Sequence, residues 1–588
     1  MVLLRRMLAV AALASSLSLS AQMLSRPGWA GSGMSSDPWW QHAVIYEIYP
    51  RSFQDSNGDG IGDLKGITQR LDYLQSLGVD AIWLTPIYPS PQVDFGYDIS
   101  DYTAIDPQYG TMEDFDNLVQ EASRRNIRVL MDLVLNHTSD KHAWFVESAS
   151  SKGNPKRDWY VWRDGKGAGA DGKPVPPNNW QSLFGHSAWQ YDEKTGQFYY
   201  HCFYPQQPDL NWRNAAVRQA MFDVARFWLN RGVAGFRLDA IDTLLEDPSL
   251  ADAKQSPGTN AFGDPNVDHS QQMGLQEIHG ILRELRSVIN NAPGQRLLVG
   301  EIYTKSAAEL ASWYGAKNDE LHLPMDTGVG FTNKLDAAAF REKLETAQTQ
   351  LHGNAPLLVF DNHDNPRSWD RYGDGQHNKE IARVLATILL TSRSASLLYY
   401  GQELGMATAT PERKEDVKDP IGVLGWPKEK GRDGERTPMQ WDGGAEAGFS
   451  KAAKTWLPIP TSSMTVNVEA EQKDDRSLLK WYEQLIALRR SRRAMREGQQ
   501  ILLNHDAENA LVWVRKHQGV TATSPAVVVA CNFSDKPITL HLKSEITKLG
   551  LRGQFLRSLM RSDYGMGPMN LDAVKLEPYG VYIGEIHY

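Results

Sequence analysis

Gly235-Phe-Arg-Leu-Asp-Ala-Ile-Asp242 decides how the rest of this 588-residue chain is read. The stretch is apolar up to Leu238, apart from Arg237, and then turns to charge at Asp239. An apolar run that stops in a carboxylate is how a buried parallel strand looks where its C-terminal tip opens into a site. In a (β/α)8 barrel the chemistry gathers at those tips, because the strands converge there while the loops stay free to vary. Arg237 lies two residues before Asp239, so strand alternation puts both side chains on one face. A guanidinium beside a carboxylate favours the ionised form. The spacing therefore predicts an Asp239 that stays charged, as a nucleophile requires.

Working outward, short apolar segments alternate with amphipathic ones from Asp37 onward, the pattern of parallel α/β architecture. Segments 43–49, 81–85, 127–135, 235–239, 296–300, 321–325, 357–360 and 397–400 read as eight strands. Ile67, Leu71, Leu74 and Leu77 predict one helix, stopped by Gly78. Asn214 caps another, with Val217, Met221, Val224 and Trp228 on one face and Gly232 past its end. Eight strands in series, several ending in carboxylates, predict an α/β fold: a (β/α)8 TIM barrel. Residues 137–211 are rich in Gly, Pro, Asn and Trp and too long for a plain loop, so they predict an inserted subdomain after the third strand. A second Gly- and Pro-rich insert covers 403–444. Beyond a helix around 481–490, segments 510–514, 526–531 and 581–586 alternate like antiparallel strands with no helices between them. The expected organisation is a leader at 1–21, barrel at 37–136 and 212–495, an insert at 137–211 and a C-terminal β domain at 496–588.

A formal net charge of -9 with no long basic run argues against nucleic acid as a partner. Cys202 and Cys531 sit far apart in apolar surroundings and predict two free thiols, with no metal-ligand spacing. Arg5 and Arg6 precede a short run of Ala, Leu and Ser, which predicts a signal peptide and a secreted or periplasmic protein. That run is too short to span a bilayer, and no later segment is long and apolar enough.

Three acids fall at expected strand ends: Asp239, Glu301 and Asp364. Splitting an acetal needs one carboxylate at the oxocarbenium-like centre and one protonated carboxyl to donate to the leaving oxygen. Asp239 suits the first role. Glu301 follows Leu297-Leu-Val-Gly300, an apolar approach that predicts a raised pKa and a retained proton. Asp364 is placed to hold sugar hydroxyls, with His137 and His363 as further hydrogen-bond partners.

These residues stand in motifs that resemble the α-amylase family of glycoside hydrolases, in its oligo-1,6-glucosidase and α-glucosidase branch. The motifs are Asp132-Leu-Val-Leu-Asn136-His137, Gly235-Phe-Arg237-Leu-Asp239, Gly300-Glu301 and Asn362-His363-Asp364. A fifth, Gln207-Pro-Asp-Leu-Asn211, resembles one characteristic of the branch. The resemblance implies that Asp239 is the nucleophile, Glu301 the general acid/base and Asp364 the transition-state stabiliser, with retention of configuration. It also implies that Asp94 grips a terminal glucose, that Tyr97 stacks on it, and that Arg432 or Arg436, with Arg432 preferred, binds the same sugar. Phe184 and Phe203 are candidates for the pocket wall. Ala240 follows the nucleophile where, by the same resemblance, a small residue or Thr goes with α-1,4 substrates and Val with α-1,6. The implied activity is release of glucose from short oligosaccharides, by a monomer or weak homo-oligomer with no organic cofactor. The rivals are glucosyl transfer or isomerisation on the same site: Asn365-Pro-Arg367 resembles the sucrose isomerase form of the fourth motif, although the Arg-Leu-Asp-Arg-Asp signature of those enzymes is absent. A non-catalytic glucosidase-like binding protein is the other-class rival, but such proteins tend to lose the acids that this chain keeps.

One loop stands apart. Asp55, Asn57, Asp59 and Asp63 put side-chain oxygens at the first, third, fifth and ninth positions of an EF-hand-like loop, with the Ile61 carbonyl at the seventh and Gly60 at the turn. Gly66 replaces the usual twelfth-position Glu. In relatives the same loop holds calcium, so a structural calcium ion is expected here.

Overall fold

The computed structural model describes residues 38–521 and 524–587. The expected leader at 1–21 lies outside the described residues. Eight strands form a closed parallel barrel: β1 (Val44–Ile48), β2 (Ala81–Leu84), β3 (Arg128–Val134), β4 (Gly235–Asp239), β5 (Leu297–Gly300), β6 (Leu323–Asp326), β7 (Leu357–Val359) and β8 (Ala395–Tyr399). Each pairs with its sequence neighbours, and β1 closes the ring against β8. Ile45, Trp83, Leu130, Val299 and Leu397 are among the side chains that fill one core cluster of the barrel. At the start of β4, Gly235 has φ +152°, and a Cβ there would stand 2.1 Å from the Leu297 carbonyl oxygen, so the β4–β5 contact requires glycine.

The expected strands all form, with ends moved by up to two residues. The helix expected over 67–77 does not form as one piece. It breaks at Arg70 into Leu64–Gln69 and Leu71–Leu77. The Arg70 side chain is drawn to the Gln54 amide oxygen at 2.6 Å and lies 4.0 Å from the Trp441 ring, contacts that an unbroken hydrophobic period does not foresee. The helix capped by Asn214 runs Ala215–Asn230, and the cap carboxamide accepts from the Ala216 N–H.

Between β3 and β4 the chain builds a three-stranded antiparallel sheet, with Gln197–Tyr200 between Trp162–Arg163 and Trp189–Asp192. A hairpin of Gln255–Thr259 and Pro265–Val267 follows β4; its exposed, apolar-poor residues gave no strand signal. The C-terminal region is a six-stranded antiparallel sheet beginning at Gln499, together with a two-stranded ribbon. A helix, Lys543–Lys548, interrupts it, which corrects the expectation of strands alone; Ile546 is its buried anchor. Leu511, Trp513, Val527 and Val529 of the sheet join the same apolar core as the barrel helices. Both cysteines are buried and free. Among the described residues no helix is long and apolar enough to cross a membrane.

Candidate active site

The register of β3 on β4 sets Asp132 opposite Arg237 and Val134 opposite Asp239. Arg237 is buried at 1% exposure and donates from Nη1 to both Asp132 oxygens at 3.0 Å and to Asp239 Oδ1 at 2.7 Å. Its Nη2 pairs with Glu301 Oε2 at 2.6 Å, close enough for charge attraction but not aligned as a hydrogen bond. The guanidinium also lies 4.7 Å from the Trp83 ring. One cation therefore faces three carboxyls.

Arg237 does favour the charged form, as expected, but it is not the only influence on Asp239. Burial raises its pKa to about 7; Arg237 opposes the rise, while Asp132 and Asp364 add to it. Burial also lifts Asp132 to about 6 and Glu301 to about 7, in both cases against Arg237. Strand alternation put Arg237 beside Asp239, but it carried no information about the other two claimants. The rise at Glu301 has the direction its apolar approach predicts.

Glu301 stands one residue beyond β5, where its N–H still donates to the Leu238 carbonyl at 3.0 Å. Its Oε2 accepts from the Ala240 N–H at 3.0 Å. Ala240 makes that contact from a left-handed conformation, φ 39° and ψ 49°. A residue without a branched Cβ tolerates this far better than Val or Thr.

Asp364, 23% exposed at its side chain, receives Arg432 Nη1 at 3.0 Å and Arg436 Nη2 at 2.8 Å on the same oxygen. Burial works to raise its pKa, but Arg432 and Arg436 hold it well below the usual carboxylate range. Burial pushes the pKa of His363 far down, so its ring is neutral and the two arginines carry the effect. Arg432 also donates to Asp94 Oδ1 at 2.9 Å and, through Nε, to the fully buried Asp419 at 2.7 Å. Burial raises Asp94 to about 6, with Arg432 opposing.

The remaining predicted residues close around this frame. The Tyr97 hydroxyl donates to Asp132 Oδ2 at 2.9 Å and lies 2.8 Å from His363 Nε2, and the two rings stack at 5.4 Å. His137 Nε2 is 3.1 Å from the Tyr97 carbonyl, and burial lowers the ring's pKa to about 4. Phe203 packs edge-on to His137 at 5.3 Å, and Phe184 lies 5.1 Å from Phe203 with the Arg432 guanidinium 5.3 Å from its ring. Every sugar-site residue expected from the sequence is thus joined to the others by direct contacts.

Four more residues belong to the frame. Asp132 and Gln207 were visible inside motifs without a role assigned. The Gln207 amide donates to Asp94 Oδ2 at 3.0 Å and sits 3.1 Å from His137 Nε2. Glu47, a lone carboxyl within the apolar strand β1, lies 2.6 Å from His363 Nδ1. That interruption was its only signal; Asp419, in the second insert, gave none.

The loop expected to hold calcium folds as a hydrogen-bonded turn. Asp55 accepts from the N–H groups of Asn57, Gly58 and Gly60 and from the Ser450 hydroxyl. Asp63 accepts from Ser56 and caps the next helix at Gly66. Asn57 accepts from Asp59 N–H, and Asp59 from Ile61 N–H. Among the described residues no three acidic, His or Cys side chains gather into a metal-holding group. The donor set itself, carboxylate, amide and carbonyl oxygens on alternate residues, has the chemistry of a hard-cation loop.

Residues 47–498 match the catalytic-domain model of the α-amylase family. A probable alpha-glucosidase of Rhizobium meliloti (strain 1021) is 42% identical over 473 residues, 78% of this chain and 84% of that protein. An oligo-1,6-glucosidase of Parageobacillus thermoglucosidasius is 38% identical over 543 residues, covering 86% of this chain and 92% of its own. The crystal structure of an alpha-glucosyl transfer enzyme superposes with a TM-score of 0.81 at 38% identity, over 93% of this chain and 99% of that one. With its barrel tips carrying this constellation and these relatives covering most of its length, the chain belongs to the α-amylase family of glycoside hydrolases.

Proposed function

We propose that the protein is a retaining, exo-acting α-glucosidase that releases α-glucose from the non-reducing end of short, maltose-like glucosides. The observation that carries this reading is the shared guanidinium. Asp239 and Glu301 both touch Arg237, so their separation is bounded by the reach of one planar fork. Retaining enzymes need their two carboxyls about 5 Å apart. Asp239 attacks the anomeric carbon as the glucosidic C–O bond breaks, and Glu301 gives its proton to the departing oxygen. Glu301 then takes a proton from water, which displaces Asp239 and frees glucose. Asp364, held ionised by Arg432 and Arg436, faces the positive charge that develops on the sugar ring.

Exo action is supported by the Asp94–Arg432 ion pair, which ties residues far apart in sequence across one end of the site. The small Ala240 supports α-1,4 linkages. Glucosyl transfer is the second reading, favoured by the likeness to an alpha-glucosyl transfer enzyme. Product chromatography on maltose, isomaltose, sucrose and trehalose separates the two, with free glucose set against new saccharides. Asp239→Asn is expected to abolish turnover while sugar binding persists; near-normal rates in that variant would refute the assignment.

The same proposal includes calcium in the 55–63 loop, remote from the reaction, and export directed by residues 1–21. Metal analysis of the purified protein, with melting followed before and after chelation, tests the first. N-terminal sequencing of exported protein tests the second.

A further inference from the structure

Tyr97 and Tyr49 both stack with the His363 ring, at 5.4 and 5.8 Å, and Trp83 meets it edge-on at 6.0 Å. The ring plane is thereby fixed, and what is left to set is which nitrogen carries the proton. Nε2 lies 2.8 Å from the Tyr97 hydroxyl and 3.3 Å from Asp364 Oδ2, and Nδ1 lies 2.6 Å from Glu47 Oε1. The Tyr97 hydroxyl has one proton, and it goes to Asp132 Oδ2 at 2.9 Å. Toward Nε2 the phenolic oxygen is therefore an acceptor, and Nε2 must be the donor. Asp364, held ionised, likewise favours an N–H over a bare lone pair at that nitrogen. A neutral ring with its proton on Nε2 has an accepting Nδ1, and the group that meets it is Glu47.

Glu47 is suited to be a donor. It is fully buried on β1, among the described residues no lysine or arginine pairs with it, and its Oε2 finds no hydrogen-bond partner there. A carboxylate in that setting would strand a whole charge, whereas a carboxylic acid leaves one neutral carbonyl oxygen bare. Burial pushes the Glu47 pKa well above the usual carboxylate range; Arg237 opposes the rise, and Asp364 and Asp132 add to it. Tyr399, opposite on β8, stays a neutral phenol. A proton on Oε1 still lets that oxygen accept the His363 N–H, 3.3 Å away.

We propose that Glu47 is a positioning residue: as a carboxylic acid it donates to His363 Nδ1 and locks the ring in the tautomer that presents Nε2–H to Tyr97, Asp364 and the sugar bound beside them. The effect on turnover rests on the glucosidase reading, to which this role adds the group that keeps His363 a donor. Glu47 keeps its proton throughout and touches no reacting atom.

Long-range nitrogen–proton NMR spectra of the full-length protein, labelled at its histidine nitrogens, report which ring nitrogen is protonated. The His363 signals are identified by their loss in His363→Gln. At pH 7 the proton is expected on Nε2 in the wild type and in Glu47→Gln, whose amide N–H replaces the carboxyl O–H. In Glu47→Met the donor to Nδ1 is gone, and the Nδ1–H form is expected to appear. On maltose, Glu47→Met should lower kcat about 10–100-fold with KM moved less than about threefold, the scale of losing the outer partner of a working histidine, while Glu47→Gln stays within about threefold of wild type in both. A proton on Nδ1 in the wild type would overturn the proposal, because Glu47 would then be the acceptor, and that spectrum decides even where the Met variant fails to fold. A Gln variant as slow as the Met variant would overturn it too. A wild type that releases no glucose from maltose would sink the glucosidase reading and the turnover effect with it, while the spectra, which need no turnover, still decide the tautomer.

Discussion

Two regions of the molecule bury arginines, and they use them in opposite ways. At the barrel mouth Arg237, Arg432 and Arg436 face the carboxyls of Asp132, Asp239, Glu301, Asp94, Asp364 and Asp419. Where the C-terminal sheet meets the barrel, Arg489 and Arg515 are as deeply buried, yet among the described residues neither forms an ion pair. Arg489 donates to the carbonyls of His42, Leu390 and Ser394, and Arg515 to those of Thr391, Met495 and Gly498. Several of these carbonyls end the helices Asn378–Thr391 and Arg493–Glu497, where the helix dipole favours a cation. At the seam burial lowers Arg489 to about 10 and lowers Arg515 as well, whereas at the mouth surrounding acids outweigh burial and raise Arg237. The seam satisfies backbone. The mouth leaves three cations for six acids, an excess of negative charge suited to a cationic transition state and a retained proton.

The comparison breaks first at its centre. Arg237→Met removes the cation that three buried carboxyls share, and should cost at least about a thousandfold in kcat/KM. Stripping a buried pair of one partner costs about 3–5 kcal/mol, so denaturant unfolding at neutral pH should show that loss as well. Arg515→Met should cost about 2–4 kcal/mol, from three stranded carbonyls and lost charged hydrogen bonds, with kcat per folded molecule within about twofold. A folded Arg515→Met protein with a proportionate loss of turnover would erase the distinction between the two regions. A smaller effect belongs to Arg436→Lys. It keeps the charge but not the fork that spans the His363 carbonyl and Asp364. A fall in kcat of about 10–100-fold with little change in melting temperature is expected, the scale of one lost electrostatic contact.

How much of this was legible follows the same division. The barrel could be read because each strand is an apolar run bounded by turn residues, and that is local information. Arg237 beside Asp239 was legible for the same reason, since alternation needs only two residues of spacing. The claim of Asp132 and Glu301 on the same guanidinium was not. It depends on how β3, β4 and β5 are registered, and register is a tertiary fact. Asp419 is thirteen residues before Arg432 in an irregular insert, where no period announces which side chains meet. The helix broken at Arg70 and the helix at Lys543–Lys548 were missed for a related reason: tertiary contacts overrode a simple pattern.

The smallest effect is the most discriminating, because it asks whether Asp239 is ionised by Arg237 or burdened by its neighbours. Burial first, and then neighbouring acids, raise Asp239 and Glu301 to about 7 and Asp132 to about 6, above the values near 4 of unfolded carboxyls. Between those limits the folded chain binds more protons than the unfolded one, so these groups lower stability as pH rises from about 4 to 7. Asp364 and Asp419 act in the other direction: their folded pKa values are depressed, and their contribution is present above about pH 4 and lost below it. Asp239→Asn removes one term of the first kind. It should therefore melt about 2–4 °C higher than wild type at pH 8, the effect of about 1 kcal/mol in a large domain, and show no such gain at pH 5, where the wild-type carboxyl is already neutral. A variant that melts lower than wild type at pH 8 and equal to it at pH 5 would mean that Arg237 serves Asp239 as a dedicated partner. The mouth would then be a set of matched ion pairs, and its contrast with the seam would lie in the partners chosen, with no surplus of charge to use.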